Sequence, residues 1–89
     1  MRFEWDPKKA AANMRKHGVS FEEAQTVFKD RLAIAFYDPD HSEQEDRSIT
    51  FGHSDRSRLI VVCTTERDNV LRIISARKAT KTEFKIYES

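Results

Sequence analysis

The sequence predicts an α+β fold in the order β-α-α-β-β-β-β-α, with helices packed on a mostly antiparallel sheet. Three observations carry that reading. Two helix starts with capping side chains stand close together near the beginning, at Asp6-Pro7 and at Ser20. Three strand-like segments follow one another between Arg47 and Ala76 with only short turns between them, the pattern of an antiparallel meander. A last capped segment begins after Thr80. The 89 residues fit a single domain over 1–89 with a modest core. Hydrophobic residues make up 38% and charged residues 35%, so the core is thin and two layers deep.

Arg2-Phe3-Glu4-Trp5 alternates polar and apolar and reads as a short strand. Asp6 then caps a helix whose first turn holds Pro7, where a missing N–H costs nothing. Ala10, Ala11 and Met14 form its apolar stripe, Lys8, Lys9, Arg15 and Lys16 lie off it, and Gly18 ends it. Ser20 and Glu23 make a capping box for a second helix, whose buried face is Phe21, Ala24, Val27 and Phe28. Leu32 to Tyr37 is a strand with Leu32, Ile34 and Phe36 on one side, broken by Asp38-Pro39-Asp40. Arg47 to His53 is the next strand, with Ile49 and Phe51 on one face and Arg47 sharing that parity. Leu59 to Thr65 is apolar at nearly every position, so it is expected to be central and buried on both sides. Glu66 to Asn69 turns the chain, and Val70 to Ala76 returns as the fifth strand. The last helix carries Phe84 and Tyr87 at i and i+3 and is expected to lie on the sheet with both aromatics inward.

Net charge is +1, which does not indicate a globally basic nucleic-acid binder. Its distribution says more. Five of the 15 acids, Asp38, Asp40, Glu43, Glu45 and Asp46, fall in one loop that has no Lys or Arg, so all 16 basic residues lie elsewhere. The loop lacks the glycine and ligand spacing of a calcium site, and His41 has no histidine near it in sequence. It reads as a solvated connection that could repel RNA or meet a basic partner. No His/Cys/Asp/Glu set has metal-ligand spacing, and no cofactor is expected. A lone cysteine, Cys63, sits in an apolar run and reads as a buried free thiol of a reducing compartment. With no apolar run of membrane-spanning length and no signal-peptide core, a cytoplasmic protein is expected.

The residues with the strongest chemical signal lie where the fifth strand meets the last helix. Arg77 and Lys78 arrive together, followed by the capping box Thr80-Glu83. Cations are thereby placed beside a helix N-terminus, which already carries unpaired N–H groups and partial positive charge. Such a place suits a phosphate.

Two blocks of this chain together resemble the BrnT family of toxins. One is Phe3-Glu4-Trp5-Asp6 with Lys9, then Asn13-Met14-Arg15-Lys16-His17-Gly18-Val19-Ser20-Phe21, Ala24 and Val27-Phe28; the other is Arg72-Ile73-Ile74-Ser75-Ala76-Arg77-Lys78-Ala79 with Tyr87. The resemblance runs over nearly the whole chain in order. It implies a RelE-like fold and a type II toxin–antitoxin toxin that cuts RNA and arrests growth. It also implies a BrnA-like antitoxin that neutralises the toxin and, with it, represses their operon.

Metal-free RNA cleavage needs a base for the 2′-hydroxyl, an acid for the leaving oxygen and cations for the phosphorane charge. It would leave a 2′,3′-cyclic phosphate. Arg suits the last task because its planar fork grips phosphate in two places. Arg77, Arg47, Arg67 and Tyr87 are therefore the candidate catalytic residues, and Arg72, Lys78, Lys16 and His17 the candidate phosphate contacts. Each has a plainer reading. The arginines can be solvated or paired with Glu83 or Glu66, His17 can cap its helix, and Tyr87 can be a core aromatic. No acid–base pair is identified. A second function class is a non-catalytic module that partners a DNA-binding regulator. A third, an RNA-binding domain without cleavage, lacks the exposed aromatic platform of single-strand readers.

Overall fold

The computed structural model describes residues 2–37 and 47–88, so the expected acidic loop lies outside the described residues. The strands are β1 (Arg2–Glu4), β2 (Ile34–Tyr37), β3 (Arg47–His53), β4 (Leu59–Arg67) and β5 (Val70–Lys78). The helices are α1 (Pro7–His17), α2 (Phe21–Thr26) and α3 (Lys81–Glu88). One sheet runs in the spatial order β1-β5-β4-β3-β2. Its β1–β5 pair is parallel and its other pairs are antiparallel. Order and meander are as the sequence predicts. Among the described residues, no helix is long and apolar enough to cross a membrane.

The helical pair forms for the local reasons read from the sequence. The Asp6 carboxylate accepts the Lys8 amide at 2.9 Å, and Gly18 ends α1 at φ 69° with its N–H on the Met14 carbonyl. The Ser20 hydroxyl accepts the Glu23 amide at 3.0 Å. The other half of that expected box does not form. Glu23 instead turns inward, where Ser54 donates to it at 2.7 Å and Arg58 grips it with both Nε and Nη2. α2 is also shorter than expected: the Val27 amide reaches the Ala24 carbonyl, and the last turn tightens into a 3₁₀ segment, Val27–Lys29.

The core lies between these helices and one face of the sheet. Val19, Phe21, Ala24, Val27, Ile60, Val62, Ile73 and Ala76 form it, with Phe3, Trp5, Ala10 and Phe28 packed at its margin. Trp5 meets Phe21 edge-on with centroids 6.0 Å apart. β1 covers the edge of β5 only as far as Arg72. Further along, Asn13 takes the place of a strand neighbour. Its Nδ2 donates to the Ala76 carbonyl at 2.8 Å, its Oδ1 accepts the Ala76 amide at 3.1 Å, and Nδ2 also reaches the Val19 carbonyl. A buried amide side chain thus satisfies an otherwise open edge.

Four further expectations change. Leu32 does not enter a strand; it sits in the turn before β2 and is 72% exposed. Cys63 is half-buried rather than buried, on the face away from α1 and α2. Phe84 does not pack inward: it is 42% exposed, and no residue of α3 is fully buried. The four-residue turn expected at 66–69 contracts to Asp68-Asn69, both at positive φ (54° and 65°), the backbone of a tight primed hairpin.

Candidate functional site

The face away from α1 and α2 gathers the arginines. Along β4, Leu59, Val61, Cys63, Thr65 and Arg67 alternate onto it. Their partners follow by register: Arg77 opposite Val61 and Arg72 opposite Thr65 on β5, Phe51 opposite Val61 and Arg47 opposite Thr65 on β3. In a regular strand Arg72 and Arg77, five residues apart, would point to opposite faces. They do not, because the register shifts at Cys63/Thr64: Cys63 pairs with Ser75 and Thr64 with Ile73, leaving Ile74 as one extra residue. The same bulge lets Ile73 and Ala76, three apart, both bury on the helical side. Arg47 and Arg72 share a rung across β4, so their Cα atoms are about 10 Å apart.

Arg77 is tied to the start of α3. Its Nη1 and Nη2 donate to the two carboxylate oxygens of Glu83 at 2.7 and 2.8 Å. Glu83 also accepts the Thr80 amide at 2.8 Å and gives its own amide to the Thr80 hydroxyl at 3.2 Å, so the predicted capping box closes in both directions. The Arg77 hydrogen bonds come first in holding the Glu83 carboxyl down at about 2, against the opposing effect of burial. Nη1 also reaches the Lys78 carbonyl at 3.3 Å. A guanidinium has five N–H donors. The contacts with Glu83 and Lys78 leave the Nε side of the fork available, on a side chain 42% exposed. Arg72 is paired with Glu4 of β1.

A second cluster joins β3, α3 and the turn before β2. The Tyr87 hydroxyl donates to Asp30 Oδ2 at 2.7 Å, and the His53 amide donates to the same oxygen at 2.8 Å. His53 Nδ1 lies 3.1 Å from the Tyr87 hydroxyl, and the two rings meet edge-on with centroids 5.0 Å apart. Burial of Asp30 opposes its charge. The His53 amide, the Tyr87 hydroxyl and the Leu32 amide outweigh it and hold the carboxyl below its usual range. The hydrogen bond to Asp30, with burial, pushes the Tyr87 phenol up to about 12. Gly52 makes the cluster possible. A Cβ there would stand 2.8 Å from Val27 Cγ1 and 3.3 Å from Asp30 Oδ2, so only glycine lets this turn close onto β3.

Arg47, Arg67, Arg72 and Arg77 therefore share one face, and Tyr87 sits over it from α3. Lys78 alternates to the helical side at the end of β5 and is exposed. Lys16 and His17 lie at the end of α1, on the helical side, apart from the four arginines. Sequence reasoning missed His53 and Asp30. His53 was legible in principle: it has the parity of Ile49 and Phe51. Asp30 was not, because nothing local marks an aspartate in a turn as the partner of a tyrosine 57 residues away. Among the described residues, no three His, Cys, Asp or Glu side chains form a group that could hold a metal ion.

Comparison with known proteins gives this arrangement a family. Residues 5–83 match the family model described as the ribonuclease toxin BrnT of type II toxin–antitoxin systems. No curated protein sequence matches the chain. Among solved structures, the chain is similar to the ribonuclease toxin BrnT of Brucella abortus, at 25% identity and a TM-score of 0.71, over 91% of this chain and 99% of that one. The family match spans both the helical pair and the arginine-bearing sheet, and the chain belongs to the BrnT family of type II ribonuclease toxins.

Proposed function

We propose that this chain is a metal-independent endoribonuclease that binds RNA across the outward face of its sheet and arrests growth in the cytoplasm. The observation that carries the reading is the gathering of Arg47, Arg72 and Arg77 on one face by strand register and the bulge at Ile74. Fixed cations there stabilise the charge that develops on the phosphorane. Arg77 holds the scissile phosphate with the Nε side of its fork while Glu83 fixes the rest. Arg47 and Arg67 add charge, and Arg72 and Lys78 hold flanking phosphates. Lys16 and His17 serve only RNA that extends past the sheet onto the helical side. Attack by the 2′-hydroxyl leaves a 2′,3′-cyclic phosphate and a 5′-hydroxyl.

Membership of a type II family implies an antitoxin. In this reading it is a BrnA-like protein with a DNA-binding domain that covers the outward face, and the complex represses the shared operon. Phe36, Phe84 and Ile86, exposed at 42–44%, supply apolar area for such a contact.

The test uses purified protein, a defined RNA and excess EDTA. Cleavage is expected to persist and to leave cyclic phosphate ends. Loss on chelation, restored by magnesium, overturns metal independence. A folded protein that binds the antitoxin and cuts no RNA would instead be a binding module.

A further inference from the structure

We propose that His53 is the base that takes the 2′-hydroxyl proton, held in its working orientation by Tyr87 and Asp30. The inference rests on the endoribonuclease reading and supplies the proton-transfer group that reading lacks. The hydrogen bonds decide which ring nitrogen acts. A tyrosine hydroxyl has one proton, and that of Tyr87 goes to Asp30 Oδ2 at 2.7 Å. Its oxygen can therefore only accept from His53 Nδ1, 3.1 Å away. Nδ1 carries the proton, and Nε2 is left as the basic nitrogen of an imidazole whose side chain is 40% exposed. The His53 amide is pinned to the same carboxylate oxygen, so backbone and ring are fixed by one anchor. A ring held through one nitrogen with the other facing substrate is how a histidine is made a directed base.

The base also lies near the proposed phosphate site. Arg77 grips Glu83, and His53 touches Tyr87. Those two helix residues are four apart, a rise of about 6 Å along α3. Guanidinium and imidazole thus flank the same turn of one helix. By register the Cα atoms of Arg77 and His53 are about 12 Å apart, two strands over and two residues along. Both side chains are tied to that helix, Arg77 through Glu83 and His53 through Tyr87.

The reaction balances without a further co-reactant beyond water. The 2′-hydroxyl proton passes to Nε2 as O2′ forms its bond to phosphorus. The P–O5′ bond breaks, and O5′ takes a proton from water. The imidazolium returns its proton to solvent, so the net change moves one proton from O2′ to O5′. His53 is the catalytic residue; Tyr87 and Asp30 are positioning residues.

Single-turnover cleavage of a defined RNA is measured against pH for wild type, His53→Ala, His53→Gln and Tyr87→Phe, alongside thermal unfolding. His53→Ala is expected to lose on the order of 10²–10⁴ in rate. It is also expected to lose the acidic limb of the profile, which added imidazole partly restores. Tyr87→Phe is expected to slow cleavage less than His53→Ala and to keep the acidic limb, because the imidazole remains while Nδ1 loses its hydroxyl acceptor. A purely structural role for the cluster predicts the reverse: lower melting temperatures with the wild-type profile retained. In the wild type itself, the limb must coincide with the titration of the His53 ring followed by NMR. A mismatch overturns the proposal even if every variant misfolds. Wild-type protein that cuts no RNA refutes the ribonuclease reading and His53 with it. Wild-type cleavage with a folded His53→Ala protein of equal rate refutes His53 alone.

Discussion

On one side of the sheet, Val19, Phe21, Ala24 and Val27 of the helical pair are fully buried against Ile60, Val62 and Ile73. On the other, α3 has no fully buried residue, and Phe84 and Ile86 are each 42% exposed. The first face is sealed by apolar contact, with Asn13 and Glu23 as buried polar anchors. The second buries a smaller apolar patch, Phe51, Leu59 and Val61, and is held at two polar points, Arg77–Glu83 and the Tyr87–Asp30–His53 cluster. Removing apolar area from water is worth more than a partly solvated ion pair. The fold therefore rests on the helical face. The outward face is left free to carry charge that a core would not tolerate.

The contrast can be broken with two phenylalanines. Phe21→Ala leaves a cavity in the core and is expected to lower stability by about 3–5 kcal/mol. Phe84→Ala, on the outward face, is expected to cost less than about 1 kcal/mol. Chemical denaturation of both variants measures the difference. Equal losses would mean that α3 belongs to the core.

Two glutamates sharpen it. Glu23→Gln removes the charge that Arg58 grips in a buried setting and is expected to cost about 2 kcal/mol. Glu83→Gln acts on a pair whose arginine is 42% exposed, so solvent screening cuts the pair's worth well below what the depressed carboxyl alone implies, and the change is expected to cost less than about 1 kcal/mol. Its signature is in acid. The Arg77 hydrogen bonds hold the Glu83 carboxyl at about 2, below its ordinary 4.5. A depressed carboxyl contributes its full stability above the ordinary value and loses it as pH falls. The wild type should therefore shed this contribution between pH 4.5 and about 2, and Glu83→Gln should not.

The same contrast explains what could be read from the sequence. Elements show themselves through local chemistry, so the caps at Asp6, Ser20 and Thr80 and the apolar run of β4 were legible. The resemblance over both blocks was legible for the same reason. Parity placed Arg47 on its face correctly. It fails for Arg72 and Arg77 together, because the extra residue at Ile74 is a matter of pairing and leaves no mark in composition. The roles of Glu23 and Asn13 were hidden for a related reason. Each satisfies a partner far along the chain: Arg58 35 residues away and Ala76 63 residues away. The inward aromatics expected of α3 were half wrong. Tyr87 finds polar partners across the sheet, whereas Phe84 stays 42% exposed.

The central claim is that the outward face does the chemistry and that Arg77 holds the scissile phosphate. Arg77→Ala tests it most directly, with thermal unfolding and cleavage of one defined RNA measured at a single salt concentration. Loss of the ion pair with Glu83 should cost at most about 1 kcal/mol. Loss of the phosphate contact should slow cleavage on the order of 10²–10³-fold. Arg77→Lys should restore little, since one ammonium cannot replace a planar fork. A folded Arg77→Ala protein that still cuts RNA at near wild-type rate would contradict the claim.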